Sequence, residues 1–503
     1  MKRVLLAGCL SCLLLLTFSA CSRGSAASAD DNIVYGQVVK TDENQITIES
    51  GDYTYGGSFE SDGCEKSYNL PENVFYDDFK AGDIVSILCD GRDATAVSNV
   101  EDVDYKAASG VNTGAGSGSD SGNGSDSGSD GSNGSGNTAT SGQAVQVSGG
   151  TAQLNADGES VAVNDESYEV KDDARIGLLA MNSGGLISMS RSSVAILGKN
   201  ACGIAAENGA AINGEQVNLT SSGEKSIAAA ALDRGSVIDL SDSTMETTTE
   251  GSPCVVSAGN VSLTSVSLAV QKSAGIAVLP GGVVNLKSSS MVSRGEAAVE
   301  LCDQTTLQEN NGSSAKTARR TSSGETGFAA SSGQTGKAKI MADSSSLEAV
   351  SNKTLLQVTG IEGFVKMMNT DLTSAASVLA DVKTDKNKNG GKLLLYGVNQ
   401  DYSGDITCDE SSKVKLVLTE GSSYSGTFDA KGTAAYSKVY LSKSSKWNVT
   451  GDSHVSSLRN GDKKCRNIQS GGHTIYYDKN REANNWLGGK TVSLPGGGRL
   501  QPE

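Results

Sequence analysis

Apolar residues recur at regular intervals through the second half of the chain. One column has successive spacings of 26, 26, 23, 23 and 23 residues and consists of Leu186, Ile212, Ile238, Val261, Val284 and Leu307. A second column, eight positions earlier, consists of Leu178, Ile204, Ala230, Pro253, Ile276 and Val299. Small or polar residues separate the apolar ones, which is the alternation of a β-strand. A strand–turn unit that repeats in this way predicts an all-β fold, a parallel β-helix (solenoid) whose coils stack about 4.8 Å apart and whose columns point inward.

The predicted solenoid domain covers residues 145–495, and residues 496–503 form a tail. Tandem β-sandwiches and a propeller are the alternatives, but the repeat is short for a propeller blade. The segments from Lys446 to Leu458 and from Ser470 to Tyr477 resemble the closing segments of adhesin-like, right-handed parallel β-helices, such as autotransporter passengers and other pectin-lyase-like folds. That resemblance implies a right-handed coil with a long surface for adhesion.

Residues 33–105 show a different pattern, with two alternating strands at 33–39 and 45–49 and a turn and strand at 79–87. The pattern G-x-V, I-T-I, F-K-x-G-D-x-V resembles small exported bacterial barrels of the OB-like kind, and OB-like barrels can bind oligosaccharides. Six aromatic residues either contact sugar or close the barrel core: Tyr53, Tyr55, Phe59, Tyr68, Phe75 and Tyr76. Residues 106–144 are rich in Gly, Ser and Asp, which predicts a flexible, disordered linker because such a segment cannot bury enough apolar surface to offset its chain entropy.

The first 20 residues are typical of a signal peptide, with Lys2 and Arg3 before an apolar stretch. The end of this stretch, Phe18-Ser19-Ala20-Cys21, resembles the bacterial lipobox. That resemblance implies that Cys21 is acylated, with palmitate among its acyl groups, and that residues 21–32 tether the protein to a membrane. Ordinary signal cleavage and an uncleaved anchor are the alternatives. The expected location is the bacterial cell envelope, outside the cytoplasm.

Charge and cysteine content limit the classes of partner and cofactor that the chain is expected to bind. The chain has 42 basic and 58 acidic side chains, a net charge of −16, which disfavours nucleic acid as a partner. With two histidines and no C-x-x-C pair beyond the signal peptide, neither a metal nor a cofactor is predicted. Cys64 and Cys89 fall in the small domain and form a candidate disulfide. The cysteines of the repeat region, Cys202, Cys254, Cys302, Cys408 and Cys465, are expected to be buried as small apolar residues.

Candidate chemistry is sparse. Polysaccharide-active β-helices need several carboxylates on adjacent coils, and here only Glu207 and Asp233 could stack, five positions before the main column. They are either ligand contacts or an ordinary solvated pair, and no catalytic residue is predicted. Trp447 either stacks on a sugar or closes the last coils. The loop that contains Lys316, Arg319 and Arg320 either binds an acidic glycan or is an ordinary solvated loop, of which its charges are typical.

Taken together, these features predict a monomeric, lipid-anchored cell-surface protein that displays a β-helix for adhesion. Its partners are the membrane and either a glycan or a host or bacterial surface protein, and no catalysis is expected. One alternative is a polysaccharide-binding or polysaccharide-active protein of the lyase or hydrolase kind. The other is a structural spacer of the envelope.

Overall fold

A computed structural model describes residues 33–42, 44–54, 58–71, 74, 76, 79–99, 104–106, 152–310, 336–350, 354–375 and 377–503. The signal peptide, Cys21, most of the Gly/Ser-rich segment and the loop with Lys316, Arg319 and Arg320 lie outside these residues. The chain divides into two compact units, one made of 1–71 and 76–114, the other of 72–75 and 115–503.

The first unit is a small five-stranded β-barrel, as the sequence predicts. Its strands, with one short additional strand, are β1 (Ile33–Thr41), β2 (Gln45–Thr54), β3 (Ser58–Asn69), β4 (Ile84–Asp90), β5 (Asp93–Asn99) and β6 (Asp104–Lys106). Strand β1 pairs with β2 and β4, β2 pairs with β3, and β4 pairs with β5. A single parallel pair between Asn69 and Asp93 joins β3 to β5. Phe59 and Tyr68 are buried in the core of this unit, whereas the side chains of Tyr53, Tyr55 and Phe75 are outside the described part.

The second unit is a right-handed parallel β-solenoid of about 14 turns, which confirms the predicted fold class. Its first strands are β7 (Ala152–Asp157), β8 (Ser160–Asn164), β9 (Ser167–Val170), β10 (Ile176–Met181), β11 (Leu186–Ser190), β12 (Ser193–Ile196), β13 (Cys202–Glu207), β14 (Ala211–Glu215), β15 (Asn218–Ser221), β16 (Ile227–Ala231), β17 (Val237–Ser241), β18 (Thr244–Thr247), β19 (Val255–Ser257), β20 (Asn260–Thr264), β21 (Ser267–Val270), β22 (Ile276–Val278), β23 (Val283–Lys287), β24 (Ser290–Ser293) and β25 (Ala297–Cys302).

After β25 comes the helix α1 (Gln304–Asn310), and the coil resumes at β26. The later strands are β26 (Ala338–Asp343), β27 (Ser346–Ala349), β28 (Thr354–Thr359), β29 (Glu362–Met368), β30 (Asp371–Ser374), β31 (Val378–Lys383), β32 (Lys392–Val398), β33 (Asp401–Ser403), β34 (Asp405–Cys408), β35 (Lys413–Thr419), β36 (Ser423–Gly426), β37 (Tyr436–Leu441), β38 (Lys446–Val449), β39 (Ser453–Val455), β40 (Ser457–Asn460), β41 (Ile468–Gln469), β42 (Thr474–Tyr477), β43 (Val492–Ser493) and β44 (Arg499–Pro502), with a 3₁₀ helix at Glu482–Leu487.

Three long parallel sheets form the walls of the coil. Sheet I contains ten strands from β7 to β34, sheet II twelve strands from β8 to β40, and sheet III eight strands from β9 to β30. Sheet IV, which consists of β33, β36, β38 and β41, takes the place of sheet III in the last coils, and β30 contacts β33. Sheet V closes the end with β39, β42, β44 and β43. In the described part of the chain, no helix has the length and apolar character needed to cross a membrane.

The main apolar column is an inward ladder on sheet II, as predicted, but two of its six members are wrong. The register aligns Ile212, Ile238, Val261 and Val284, preceded by Ile187 rather than Leu186. Because successive strand residues face opposite sides, this difference of one residue turns Leu186 outward. After Val284 the ladder continues through Ile340, Val365, Leu395, Leu416, Val439 and Leu458, each with no exposed surface.

Leu307 lies on α1, outside the ladder, and packs against the outer side of sheet I with Val256 and Leu279. The column on sheet I also needs correction, since Ala229 and Val255 occupy the places predicted for Ala230 and Pro253. Both errors come from assuming that the number of residues between the inward positions of a coil is constant. The turns between strands differ in length from coil to coil, so some inward positions lie one or two residues away from the predicted ones.

A buried hydroxyl ladder holds the bend between sheets II and III. The amide N–H of Val217 donates to Ser243 Oγ at 2.9 Å, that of Val266 to Ser289 Oγ at 3.0 Å, and that of Ser289 to Ser345 Oγ at 3.1 Å. The residue just before each of these serines has a positive φ, as Asp242 shows at 46°. A buried amide without a hydrogen-bond acceptor would destabilise the fold. The small hydroxyl residues at this bend supply that acceptor, so the chain can turn while its amides remain buried.

Candidate binding surface

The outer side of sheet III carries a continuous row of polar side chains. The register places eight residues one above another: Ser167, Ser193, Asn218, Thr244, Ser267, Ser290, Ser346 and Asp371. We name this row the outer ladder. Each member is exposed or half-buried. With adjacent strands about 4.8 Å apart, eight rungs extend over about 34 Å.

The strand pattern explains why these side chains point outward. Each ladder residue precedes an inward apolar residue, and those after the middle rungs, such as Val194 after Ser193 and Leu268 after Ser267, are almost completely buried. Alternation then leaves the preceding position on the opposite side of the sheet. The same pattern that forms the core therefore determines where the outer ladder stands.

Part of the outer ladder is linked internally and part is open. Ser193 Oγ donates to Ser167 Oγ at 3.0 Å, and Thr244 Oγ1 donates to Asn218 Oδ1 at 2.8 Å. Within the described ranges, the side chains of Ser267, Ser290 and Asp371 form no hydrogen bond to the protein. These groups are available to water or to a ligand.

The row continues into sheet IV in the last coils. There the register stacks Asp401, Ser423 and Lys446, and Ser423 Oγ donates to Asp401 Oδ1. A parallel row consists of Ser403, Ser425, Asn448 and Gln469. Polar rows therefore follow sheet III and then sheet IV along the coil, and the row of sheet IV becomes basic at Lys446.

Glu207 and Asp233 lie on different rungs. The register aligns Ala206 with Ala231, so Asp233, two residues further on, lies beside Asn208 rather than Glu207. The Asp233 carboxylate accepts hydrogen bonds from the amides of Asn208 and, at 3.1 Å, Gly235. It thereby stabilises the turns of two coils. A role for either acid in ligand contact stays a prediction. Within the described ranges, no group of three or more His, Cys, Asp or Glu side chains is arranged to hold a metal.

Trp447 is an interior residue of the last coils. Its side chain has no exposed surface, and its ring lies 6.0 Å from that of Tyr424 and 6.3 Å from that of Phe428. Its Nε1 donates to the carbonyl of Gly426 at 3.1 Å. A sugar cannot reach this ring in the folded structure. The ring instead packs against aromatic side chains of neighbouring coils, as expected of a residue that closes the last coils.

The cysteines of the solenoid are buried, as predicted. Burial raises the pKa of the Cys254 thiol to about 12 and raises that of Cys202 still further, which makes both poor nucleophiles. In the barrel, Cys64 is exposed on β3 and Cys89 is buried on β4. These strands have β5 between them in the sheet order, and their disulfide stays a prediction.

Two outward apolar surfaces escaped the sequence analysis. On sheet I, five small or apolar residues stack on the outer side and are nearly or fully buried: Leu179, Ala205, Ala230, Val256 and Ala277. On sheet II, a second cluster contains Phe364, Leu394, Tyr396, Val417, Tyr436 and Tyr440. A run of apolar residues without alternating polar ones, as in Lys392–Val398, could have revealed these surfaces. Apolar residues at successive positions face opposite sides of a sheet, so such a run places apolar side chains on the outer side as well.

Comparison of the chain with family models, curated proteins and solved structures finds no match. The function is therefore argued from the residues themselves.

Proposed function

We propose that this chain is a lipid-anchored protein of the bacterial cell surface that uses its β-solenoid for adhesion, binding a glycan without cleaving it. The observation that carries the proposal is the outer ladder, a row of eight exposed or half-buried polar side chains in register. An extended polymer that runs along the coil axis would meet a similar polar group at every coil.

Hydroxyl groups suit a glycan partner for two reasons. A Ser or Thr hydroxyl donates one hydrogen bond and accepts two, which matches the mixed donors and acceptors of sugar hydroxyls. Ser and Thr also lose little side-chain entropy on binding compared with long polar side chains. Each hydrogen bond contributes only about 0.5–1.5 kcal/mol, so useful affinity requires several rungs at once, and the ladder supplies them.

The anchor follows from the lipobox resemblance at Cys21. Each buried acyl CH₂ contributes about 0.8 kcal/mol, and stable attachment takes more than one chain. The Gly/Ser-rich composition of residues 106–144 favours a spacer between the anchor and the solenoid.

Alanine substitutions on the ladder test the binding proposal with the full chain. The test variant replaces three adjacent rungs: Thr244→Ala, Ser267→Ala and Ser290→Ala. The matched control replaces three outward serines of sheet II: Ser188→Ala, Ser241→Ala and Ser262→Ala. Binding to a panel of soluble and insoluble polysaccharides is measured, and circular dichroism confirms that both variants melt like the parent chain.

We expect the ladder variant to bind its glycan at least about tenfold more weakly, because three hydrogen bonds are lost. The control should bind within about twofold of the parent. Equal binding by parent and ladder variant would remove the outer ladder from the proposal. Release of new reducing ends from any polysaccharide would overturn its non-catalytic part.

A separate substitution tests the anchor. In bacteria fed labelled palmitate, the parent chain should carry the label and sediment with membranes, whereas Cys21→Ala should carry no label. Palmitate labelling that is unchanged in Cys21→Ala would contradict lipid attachment at this residue.

A further inference from the structure

A basic cleft lies in the last coils of the solenoid, where the polar row of sheet IV ends. It is an open depression of about 660 Å³, lined by outward residues of β38 and β41, the turn before β38 and the loop at residues 461–467. Its cations are Lys443, Lys446 and Arg466, and the remaining lining residues are all polar: Ser444, Ser445, Asn448, Asp462, Asn467 and Gln469.

A hydrogen-bonded scaffold holds the loop of this cleft. The Asp462 carboxylate accepts bonds from the amides of Lys464 and Arg466, both at 3.1 Å, and from Arg466 Nε at 2.9 Å. Asn467 Nδ2 donates to the carbonyl of Ser445 at 2.9 Å, which joins the loop to the turn on the other side of the cleft. The side chains of Asp462 and Asn467 are thus committed to the scaffold, and the loop is ordered before any ligand arrives.

The charge of the cleft is opposite to that of the whole chain. The cleft is lined by three cations, Lys443, Lys446 and Arg466, and by one acid, Asp462. The loop also carries Lys464, and Lys463, which lies over the Trp486 ring. Arg466 pairs with Asp462 and holds the pKa of that carboxyl below its usual value. Among the described residues, Lys443, Lys446 and Lys464 form no ion pair. On a protein of net charge −16, such a cluster concentrates local positive potential.

The lining distinguishes between classes of anionic ligand. No apolar or aromatic residue lines this cleft, so an acidic peptide that also carried apolar side chains would find no matching residue here. A sugar acid brings hydroxyl groups, which match the amides of Asn448 and Gln469. Lys446 is also in register with Ser423 in the polar row that continues from the outer ladder.

We propose that this cleft binds the carboxylate or sulfate groups of an acidic polysaccharide whose chain extends along the polar surface. The inference rests on the proposed glycan binding and adds the chemical class of the glycan. The two lysines without an ion pair supply the attraction, and the fixed loop positions Arg466 beside them.

The test compares two charge-matched variants of the full chain. Lys443→Gln with Lys446→Gln removes two cleft cations, whereas Lys272→Gln with Lys287→Gln removes two exposed lysines elsewhere on the solenoid. The probes are polygalacturonate, chondroitin sulfate, neutral dextran and poly-glutamate, each titrated at low and high salt.

We expect the cleft variant to bind polygalacturonate or chondroitin sulfate about tenfold more weakly at low salt, and the control within about twofold of the parent. The loss should shrink at high salt because exposed charges are screened. Because chondroitin sulfate carries carboxylate as well as sulfate groups, a larger loss with it than with polygalacturonate indicates that sulfate is preferred, and an equal loss indicates that the carboxylate suffices.

Equal losses in the two variants would mean that only net charge matters and would overturn the inference. So would poly-glutamate binding as tight as that of the polysaccharides. If the parent binds neutral glycans through the outer ladder but acidic ones no better, the proposed function stands and the cleft assignment fails. If no glycan binds at all, both fail.

Discussion

Replacing Trp447 with alanine should unfold the last coils of the solenoid. The indole has no exposed surface, contacts Tyr424 and Phe428, and donates its Nε1 proton to the carbonyl of Gly426 at 3.1 Å. The substitution removes all of these contacts and leaves a cavity between strands that cannot easily move together, because each is hydrogen-bonded to the coil on either side.

The magnitude follows from the buried surface. A buried aromatic side chain covers about 150–250 Å², which at about 25 cal/mol per Å² corresponds to about 4–6 kcal/mol. Measured Trp→Ala losses in protein cores are about 3–5 kcal/mol. We therefore expect a loss of about 3–5 kcal/mol in the free energy of unfolding. In a solenoid each coil is stabilised mainly by its neighbours, so the loss should be concentrated in the coils around Trp447.

Urea unfolding followed by circular dichroism gives the overall loss, and hydrogen exchange by mass spectrometry locates it. Peptides from residues 413–460 should exchange faster in Trp447→Ala, and peptides from residues 176–270 should not. Trp447→Phe is the control, because it keeps an aromatic ring and loses the Nε1 bond, at about 1 kcal/mol. A loss below about 1 kcal/mol in Trp447→Ala, or weaker glycan binding with unchanged stability, would refute the interior placement.

Three further predictions test register, electrostatics and thiol burial. Ile238→Ala should lower the free energy of unfolding by about 2–5 kcal/mol, whereas its outward neighbour Asp239→Ala should change it by less than about 0.5 kcal/mol; urea titration measures both. Arg191 binds both oxygens of Asp165 at 2.7 Å and lowers its pKa, so Asp165→Asn should destabilise the fold at neutral pH, and the difference should vanish as the pH falls through that lowered value. Because burial raises the pKa of Cys254 to about 12, iodoacetamide at pH 8 should label it in urea but not in the native protein.

Each of these predictions has a contradicting outcome. Equal losses for Ile238→Ala and Asp239→Ala would mean that the register on β17 is wrong. A difference between Asp165→Asn and the parent that persists in strong acid would rule out the ion pair as its cause. Rapid native labelling of Cys254 would show that its coil opens or is misplaced.

The inward ladder shows how many core positions the spacing of apolar residues predicts correctly. Ile212, Ile238, Val261 and Val284 were predictable because strand alternation and stacking act on neighbouring residues and repeat in every coil. Leu186 was not, since Leu186 and Ile187 are both apolar and only the hydrogen-bond register determines which of them faces inward.

The proposed binding surfaces depend still more on the tertiary structure. The polar identity of the outer ladder is readable along the chain, but its alignment requires the register of eight coils. The basic cleft joins Lys446 to Arg466, which are 20 positions apart and meet only because one coil stacks on the next. For Trp447 the sequence left open whether the ring stacks on a sugar or closes the last coils, and the coil places it in the interior.

The sequence by itself determined the class of the fold, because the period of apolar residues is a local property that every coil repeats. It also predicted that aliphatic side chains fill most of the interior, since aromatic residues are few along the chain, although the last coils enclose Tyr424, Phe428 and Trp447. Only the tertiary structure decided which side chains face inward, which acids share a rung and which cations share a cleft. Those depend on turn lengths that vary between coils, and a displacement of one residue in a strand exchanges its inner and outer faces.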